Sequence, residues 1–196
     1  MALGADFALF FVGLSFASQS TILPAFAERL DAPNVVIGAI PAIMSAGWLL
    51  PSLFAARHTE TLVHKLPFVL RYTIWERLPF LGLAAVAFWL AELSPQLALA
   101  ITLALLILIT TVGGVLMPAW TDIVGRALPA QVRGRFFGLA MTAGNVGALA
   151  GSLVTTWILA TVESPSSYGW CFLIASGFMA FSYGALALTH EPASRP

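Results

Sequence analysis

The sequence predicts an all-α membrane protein with six transmembrane helices, arranged as two inverted three-helix repeats. Of its 196 residues, 59% are hydrophobic and only 9% are charged, whereas soluble domains carry roughly 25% charged residues. Six stretches contain about 20 predominantly apolar residues, which is the length that a bilayer core requires. A polar, basic segment between the fourth and fifth stretches repeats an earlier part of the chain.

The predicted spans follow one another with mostly short connections. Their bounds are 7–27, 35–56, 67–90, 96–120, 135–160 and 168–188. None shows the alternating pattern over about 10 residues that marks a transmembrane β-strand. The segment before the first span, MALGAD, contains no Lys or Arg. We therefore expect a retained helix at this end rather than a cleaved signal peptide.

The distribution of basic residues predicts the orientation in the membrane. Six helices place both termini on the same side, and the basic residues of that side outnumber the single Arg29 on the other. Because Lys and Arg are enriched in cytoplasmic connections, both termini should be cytoplasmic. The basic residues on the predicted cytoplasmic side are Arg57, Lys65, Arg71, Arg77, Arg126, Arg133, Arg135 and Arg195.

The basic segment, residues 117–138 (MPAWTDIVGRALPAQVRGRFFG), resembles an earlier stretch. Residues 118–122 (PAWTD) match PAFAE near the end of the first span, and Gly138 and Gly147 echo Gly38 and Gly47. An odd number of predicted helices separates the copies, so they face opposite sides of the membrane, as in an inverted-topology repeat. The repeat units would be 1–94 and 95–189. The alternative is coincidence, because Pro and Gly are frequent in membrane helices.

Two connections carry motifs similar to those of the major facilitator superfamily. His64 and Lys65 resemble the basic pair in that family's loop between helices two and three, although the glycines of the motif are absent. Asp122, followed by Arg133 and Gly134, resembles the loop between helices four and five. Together with the three-plus-three organisation, these residues indicate a resemblance to the N-terminal half of a transporter of this superfamily.

The resemblance implies a function and several partners. The chain would be half of a secondary active transporter that moves a small solute by alternating access in the plasma (bacterial inner) membrane. A second six-helix half would complete it, either a missing C-terminal half or another copy, and residues 190–196 would begin the central linker. The formal net charge of zero gives no indication of a nucleic-acid partner. The alternative is a six-helix structural or assembly protein of the membrane without transport activity of its own.

Polar residues within three spans are candidates for lining a substrate cavity. On the first span, Ser15, Ser18 and Gln19 share one helical face by their i, i+3, i+4 spacing. The other candidates are Thr110 and Thr111 on the fourth span and Asn145 on the fifth. The alternative is hydrogen bonding between packed helices, or bonding of a threonine to its own backbone.

Charged residues within or beside the spans are candidates for gating or coupling. Glu76 and Arg77 lie in the third span, where intramembrane charge is costly and often functional. Glu76 either pairs with a nearby arginine, Arg71 or Arg77, or exchanges protons. Asp122 is expected to lie near Arg133 or Arg135, which would tie the end of helix four to the start of helix five.

The sequence contains no pattern that indicates an enzyme. It has no nucleophile elbow, no Walker loop and no pair of carboxylates with catalytic spacing. Its single cysteine, Cys171, and three scattered histidines do not have the spacing of metal ligands. We expect no catalytic residues, no cofactor and no metal site.

The predicted orientation can be tested by labelling single cysteines in a chain whose Cys171 is replaced by serine. A cysteine at Ser166 should react with a membrane-impermeant maleimide in intact cells, because Ser166 lies in the last outer connection. A cysteine at Thr61 should react only after the membrane is permeabilised. The reverse pattern would contradict the assignment of the termini.

Overall fold

The computed structural model describes residues 2–189, which fold into α-helices joined by short connections, with no β-strand in this part of the chain. Several helical segments are long and apolar enough to cross a membrane, which agrees with the predicted class. The elements are α1 (Ala2–Phe16), α2 (Ile22–Arg29), α3 (Asn34–Glu60), α4 (Leu66–Tyr72), α5 (Ile74–Ala85), a π-helical turn (Val86–Leu90), α6 (Pro95–Ala127), α7 (Ala130–Thr161) and α8 (Ser166–Ala187). Residues 190–196, the expected linker, lie outside the described residues.

The first predicted span, 7–27, is not one continuous helix. α1 begins earlier than predicted and ends at Phe16, and α2 begins only at Ile22. In the connection, the Ser18 Oγ lies 3.2 Å from the Ser20 Oγ and accepts a long hydrogen bond of 3.4 Å from the Ser20 backbone N–H. Such side chains compete with helical hydrogen bonding. Pro24, in the first turn of α2, cannot donate a backbone hydrogen bond, so it favours a new helix start here.

The third predicted span is composed of three consecutive pieces. α4, α5 and the π-helical turn together form an apolar segment, Leu66–Leu90, that is long enough to cross a membrane. Thr73 separates α4 from α5, and Pro79 lies inside α5. Proline removes one helical hydrogen bond and bends a helix. The segment therefore has the predicted extent but not the predicted regularity.

The helices pack as a series of neighbouring pairs, in the order α3, α6, α5, α8, α1 and α7. α1 packs against α7 and α8, whereas α6 packs against α3 and α5, and α5 contacts α8. The largest fully buried side chains of the core include Phe26, Phe80 and Phe172. α3 and α7 are the least buried of the membrane-length helices.

We call the end of the bundle that holds the α3–α4 and α6–α7 connections the basic end.

Glycines allow the closest helix contacts. A Cβ atom at Gly114 on α6 would lie 2.6 Å from the Trp48 carbonyl oxygen and 2.7 Å from the Gly47 carbonyl oxygen, both on α3. Gly147 and Gly151 on α7 instead face side-chain atoms of Val12 and Ser15 on α1. Real side chains do not tolerate such distances to backbone atoms, so a small residue at these positions sets the separation between helices.

Replacing Gly114 with alanine should destabilise the protein, because the new methyl group meets backbone carbonyls that cannot rotate away. We expect a cost of about 1–3 kcal/mol, seen as a lower midpoint in thermal unfolding followed by size-exclusion chromatography in detergent. Gly138→Ala is the matched control, since no atom lies within 4 Å of its added Cβ. Equal midpoints for the two variants would contradict the close approach of α3 and α6.

Candidate functional site

A cavity of about 940 Å³ opens between the helices. Its walls come from α1, the α1–α2 connection, α3, α6 and α7, and α5 contributes charged residues. Most of the wall is apolar, and several aromatic rings face the space. These rings belong to Phe7, Phe10, Phe11, Trp48 and Trp120.

The three polar residues predicted on the first span all line this cavity, but not for the predicted reason. Ser15 is in the last turn of α1, where its hydroxyl donates to the Val12 carbonyl oxygen at 2.7 Å. Ser18 and Gln19 lie in the α1–α2 connection rather than on a shared helical face. The interruption of the helix brings its polar residues to the cavity.

The other candidates of the fourth and fifth spans do not line the cavity. Thr110 is fully buried, donates to the Leu106 carbonyl oxygen at 2.9 Å and packs against Gly47. Thr111 is half-buried, outside the cavity wall. Asn145 is exposed on α7, one turn from both Met141 and Ala148, which do face the cavity. It therefore lies on the same helical stripe without forming part of the wall.

Sequence reasoning missed Asp6, which the structure places in a buried ion pair. The Asp6 Oδ1 lies 2.7 Å from the Arg77 Nη2 and 2.6 Å from the Ser182 hydroxyl. The Asp6 Oδ2 accepts a hydrogen bond of 3.1 Å from the Trp120 indole N–H. The side chains of Asp6 and Arg77 are nearly inaccessible. The predicted span begins just after Asp6, so the search for polar residues within the spans did not include this aspartate.

The expected pairing of Glu76 with Arg71 or Arg77 is wrong. Consecutive residues on a helix point in different directions, so Glu76 and Arg77 cannot face each other. Arg77 points to Asp6 instead, and its Nη1 donates to the Thr73 hydroxyl at 2.8 Å. Arg71 is exposed, with its guanidinium 5.9 Å from the centre of the Tyr72 ring. Thr73 links the two charged residues of α5, because its hydroxyl donates to the Glu76 Oε2 at 3.1 Å.

The second oxygen of Glu76 faces the cavity. Among residues 2–189, no donor or cation pairs with the Glu76 Oε1. A Cβ atom at Gly113 would lie 2.6 Å from this oxygen and 3.1 Å from the Trp48 Cζ2 atom. Glu76, Gly113 and Trp48 all line the cavity, and Glu76 is 6% exposed. A buried carboxylate oxygen thus stands next to an aromatic ring at the cavity surface.

Asp122 forms ion pairs, but not with the predicted arginines. Its Oδ2 lies 2.6 Å from the Lys65 Nζ and 2.8 Å from the Arg126 Nε. Arg126 is four residues further along α6, so the two side chains share a helical face. Arg133 instead donates to backbone carbonyls at the end of α6, Leu128 O at 3.0 Å and Gly125 O, which the helix leaves free. Arg135 is exposed.

The ion pairs of Asp122 therefore connect different elements from those expected. They join the segment just before α4 to the last turns of α6, instead of joining α6 to α7. Lys65 is buried at this contact, whereas the Asp122 side chain is 38% exposed.

Comparison with known proteins gives no family for the chain. No protein-family model matches it, and no curated protein matches it significantly.

Within residues 2–189, no group of three or more His, Cys, Asp or Glu side chains could hold a metal ion. The arrangement consists of a large, mostly apolar cavity, a neutralised ion pair and one carboxylate oxygen without a partner.

Removing the charge of Asp6 should destabilise the protein, because it leaves the Arg77 guanidinium buried without a counter-ion. We expect Asp6→Asn to cost roughly 3–5 kcal/mol, measured as the free energy of unfolding in mixed detergent micelles. Asp31→Asn is the matched control, since Asp31 is an exposed aspartate in the α2–α3 connection.

A double variant separates charge pairing from simple packing. Asp6→Asn combined with Arg77→Met removes both charges, and replacement of a buried ion pair by apolar groups costs less than loss of one partner. The double variant should therefore be more stable than Asp6→Asn alone. If it is equally unstable or less stable, the ion pair is not what holds α1 against α5.

Proposed function

We propose that this chain is one six-helix half of a secondary active transporter of the major facilitator type, which moves a small solute by alternating access. The observation that carries the proposal is the cavity of about 940 Å³ beside an interrupted membrane helix. Interrupted helices are common at transporter binding sites, where free backbone groups are tolerated only beside a cavity. The polar α1–α2 connection meets this condition, because Ser18 and Gln19 line the cavity.

The packing pattern supports two inverted repeats, 1–94 and 95–189. In the two repeats, α1 corresponds to α6, α3 to α7, and α5 to α8. If each helix is replaced by its counterpart, the α1–α7 contact becomes the α6–α3 contact. The α1–α8 contact likewise becomes the α6–α5 contact. Gly47 and Gly147, which echo each other in sequence, each face the first helix of the opposite repeat, at Thr110 and Val12. The copies differ at their prolines, because Pro24 follows a break whereas Pro118 lies inside α6.

The ion pairs of Asp122 support a gate at the basic end, which we assign to the cytoplasmic side together with both termini. An ion-pair cluster that joins two segments can form in one conformation and break in another. Asp122 is partly exposed, so water can replace its partners when the segments separate. The pair of Asp122 with Arg126, in which both side chains are partly exposed, contributes only about 1 kcal/mol or less, which suits a reversible contact.

The proposed partner is a second six-helix unit that closes the open side of the cavity, with the lipid bilayer around both. α3 and α7 contribute cavity residues and have the largest exposed surfaces among the membrane-length helices. Hydrocarbon cannot satisfy the polar groups of Ser45, Ser152 and Gln19 at the cavity. A second bundle, with the solute between the halves, would cover them.

Alternating access can be tested without knowledge of the solute. Ser45 lies near the middle of α3 and faces the cavity, so a cysteine there should react with impermeant maleimides from either side of the membrane. Ala150→Cys is the matched control, because Ala150 is exposed on α7 but follows Ala148 by two residues and points away from the cavity. It should react from neither side. A Ser45→Cys variant that reacts from one side only would favour the structural or assembly role.

The gate predicts a shift of this two-sided labelling. In Asp122→Arg, the new cation lies beside Lys65 and Arg126, so the basic end should stay open and Ser45→Cys should react faster from the cytoplasmic side. Thr121→Arg is the control, since it introduces the same arginine side chain at a neighbouring exposed position without removing Asp122. Combining Asp122→Lys with Lys65→Asp restores an opposite-charge pair, so the rates at which Ser45→Cys reacts from the two sides should move back toward those of the original chain. Unchanged labelling in Asp122→Arg would contradict the gate.

A further inference from the structure

The charges at the cavity do not cancel. Among the residues that line it, only Asp6, Glu76 and Arg77 are charged. Asp6 and Arg77 neutralise each other at 2.7 Å, and Arg71, on the neighbouring α4, is exposed and lies against Tyr72. The carboxylate of Glu76 therefore forms no ion pair of its own within residues 2–189.

A buried carboxylate without a counter-ion is costly unless it takes up a proton or a ligand supplies the opposite charge. We propose that the cavity binds a hydrophobic organic cation, whose positive centre lies on the cavity side of the Glu76 Oε1 and the Trp48 ring. This proposal rests on the transport function proposed above and names the chemical class of its solute.

The surroundings of Glu76 favour an organic cation over a metal ion. Small inorganic cations such as Ca²⁺ require about six or more oxygen ligands, whereas aromatic rings and aliphatic side chains form most of this wall. Aromatic faces attract cations, most strongly when water is excluded. Gly113 lets the Glu76 Oε1 approach the Trp48 ring, because a Cβ atom there would lie 2.6 Å from the oxygen and 3.1 Å from the Trp48 Cζ2 atom. The carboxylate and the ring therefore lie side by side in the cavity wall.

The surroundings of Arg77 disfavour an anionic ligand. Its Nη2 already donates to Asp6 and Ser182, and its Nη1 donates to Thr73. The rings of Phe10 and Tyr183 lie 5.9 Å from its guanidinium carbon. Its Nε is buried and has no hydrogen-bond partner within residues 2–189, but an anion at this atom would meet a guanidinium whose charge Asp6 already neutralises at 2.7 Å.

The test compares two probes of the same shape and opposite charge. Tetraphenylphosphonium is a hydrophobic cation, and tetraphenylborate is its anionic counterpart. The protein is purified in its native assembly, reconstituted in lipid nanodiscs and titrated with tritiated tetraphenylphosphonium in a scintillation proximity assay. We expect saturable binding that excess unlabelled cation displaces. Tetraphenylborate is titrated separately, because the two ions form a poorly soluble salt, and it should not show saturable binding.

Variants then locate the binding site. Glu76→Gln keeps the shape of the side chain but removes its charge, and should weaken cation binding roughly 10- to 100-fold. Glu92→Gln is the matched control, because Glu92 is exposed and outside the cavity wall. Trp48→Leu should weaken binding more than Trp48→Phe, which keeps an aromatic face.

Two results would overturn the proposal. One is equal affinity for tetraphenylphosphonium in the unmodified chain and in folded Glu76→Gln, with folding checked by size-exclusion chromatography. The other is equal affinity of the unmodified chain for tetraphenylphosphonium and for tetraphenylborate in separate titrations, a comparison that needs no variant.

The outcomes for the cation site and for transport are distinguishable. Cation binding that depends on Glu76, together with one-sided labelling of Ser45→Cys, would leave the site standing and contradict transport. Two-sided labelling of Ser45→Cys without selective cation binding would support alternating access and overturn the assignment of the solute.

Discussion

The bundle depends on the neutralisation of one charge, the guanidinium of Arg77. A buried cation in a membrane protein needs a counter-ion and hydrogen-bond acceptors, and three other elements supply or support them. α1 contributes Asp6, α8 contributes Ser182, and Trp120 of α6 holds the second oxygen of the aspartate. Helices far apart in sequence are thus joined around one side chain of α5, at a level closer to the basic end than to the opposite end.

The same pairing explains why Glu76 has no direct ion pair within residues 2–189. Because Arg77 is directed to Asp6 on α1 and Ser182 on α8, its guanidinium does not contact its neighbour Glu76, which lines the cavity. Thr73 keeps both side chains in place, since its hydroxyl accepts from Arg77 and donates to Glu76. A structural ion pair and a candidate ligand group therefore arise from adjacent residues whose directions differ by about a quarter of a helical turn.

Small residues and local breaks place the helices around this centre. Gly47 and Gly114 allow α3 and α6 to approach closely, with Gly114 against backbone carbonyls of α3, whereas Gly147 on α7 makes room for the Val12 side chain of α1. The serine-rich connection after Phe16 ends α1 and exposes polar groups at the cavity. Small residues thus allow close contact of α6 with α3 and of α1 with α7. The helix-breaking residues after α1 expose polar groups at the cavity between these helices.

Composition and apolar length alone determined that the chain is all-helical with helices of membrane length, because a bilayer leaves few alternatives for so apolar a sequence. The break at Ser18 and Ser20 was also encoded locally, in serines followed by Pro24, although the apolar run concealed it. The tertiary structure decided the partners of Asp6 and Asp122, since both pair with residues far away in sequence. Periodicity shows which side chains share a helix face, but it does not show which helices meet, and a buried charge takes its partner from whichever helix meets it.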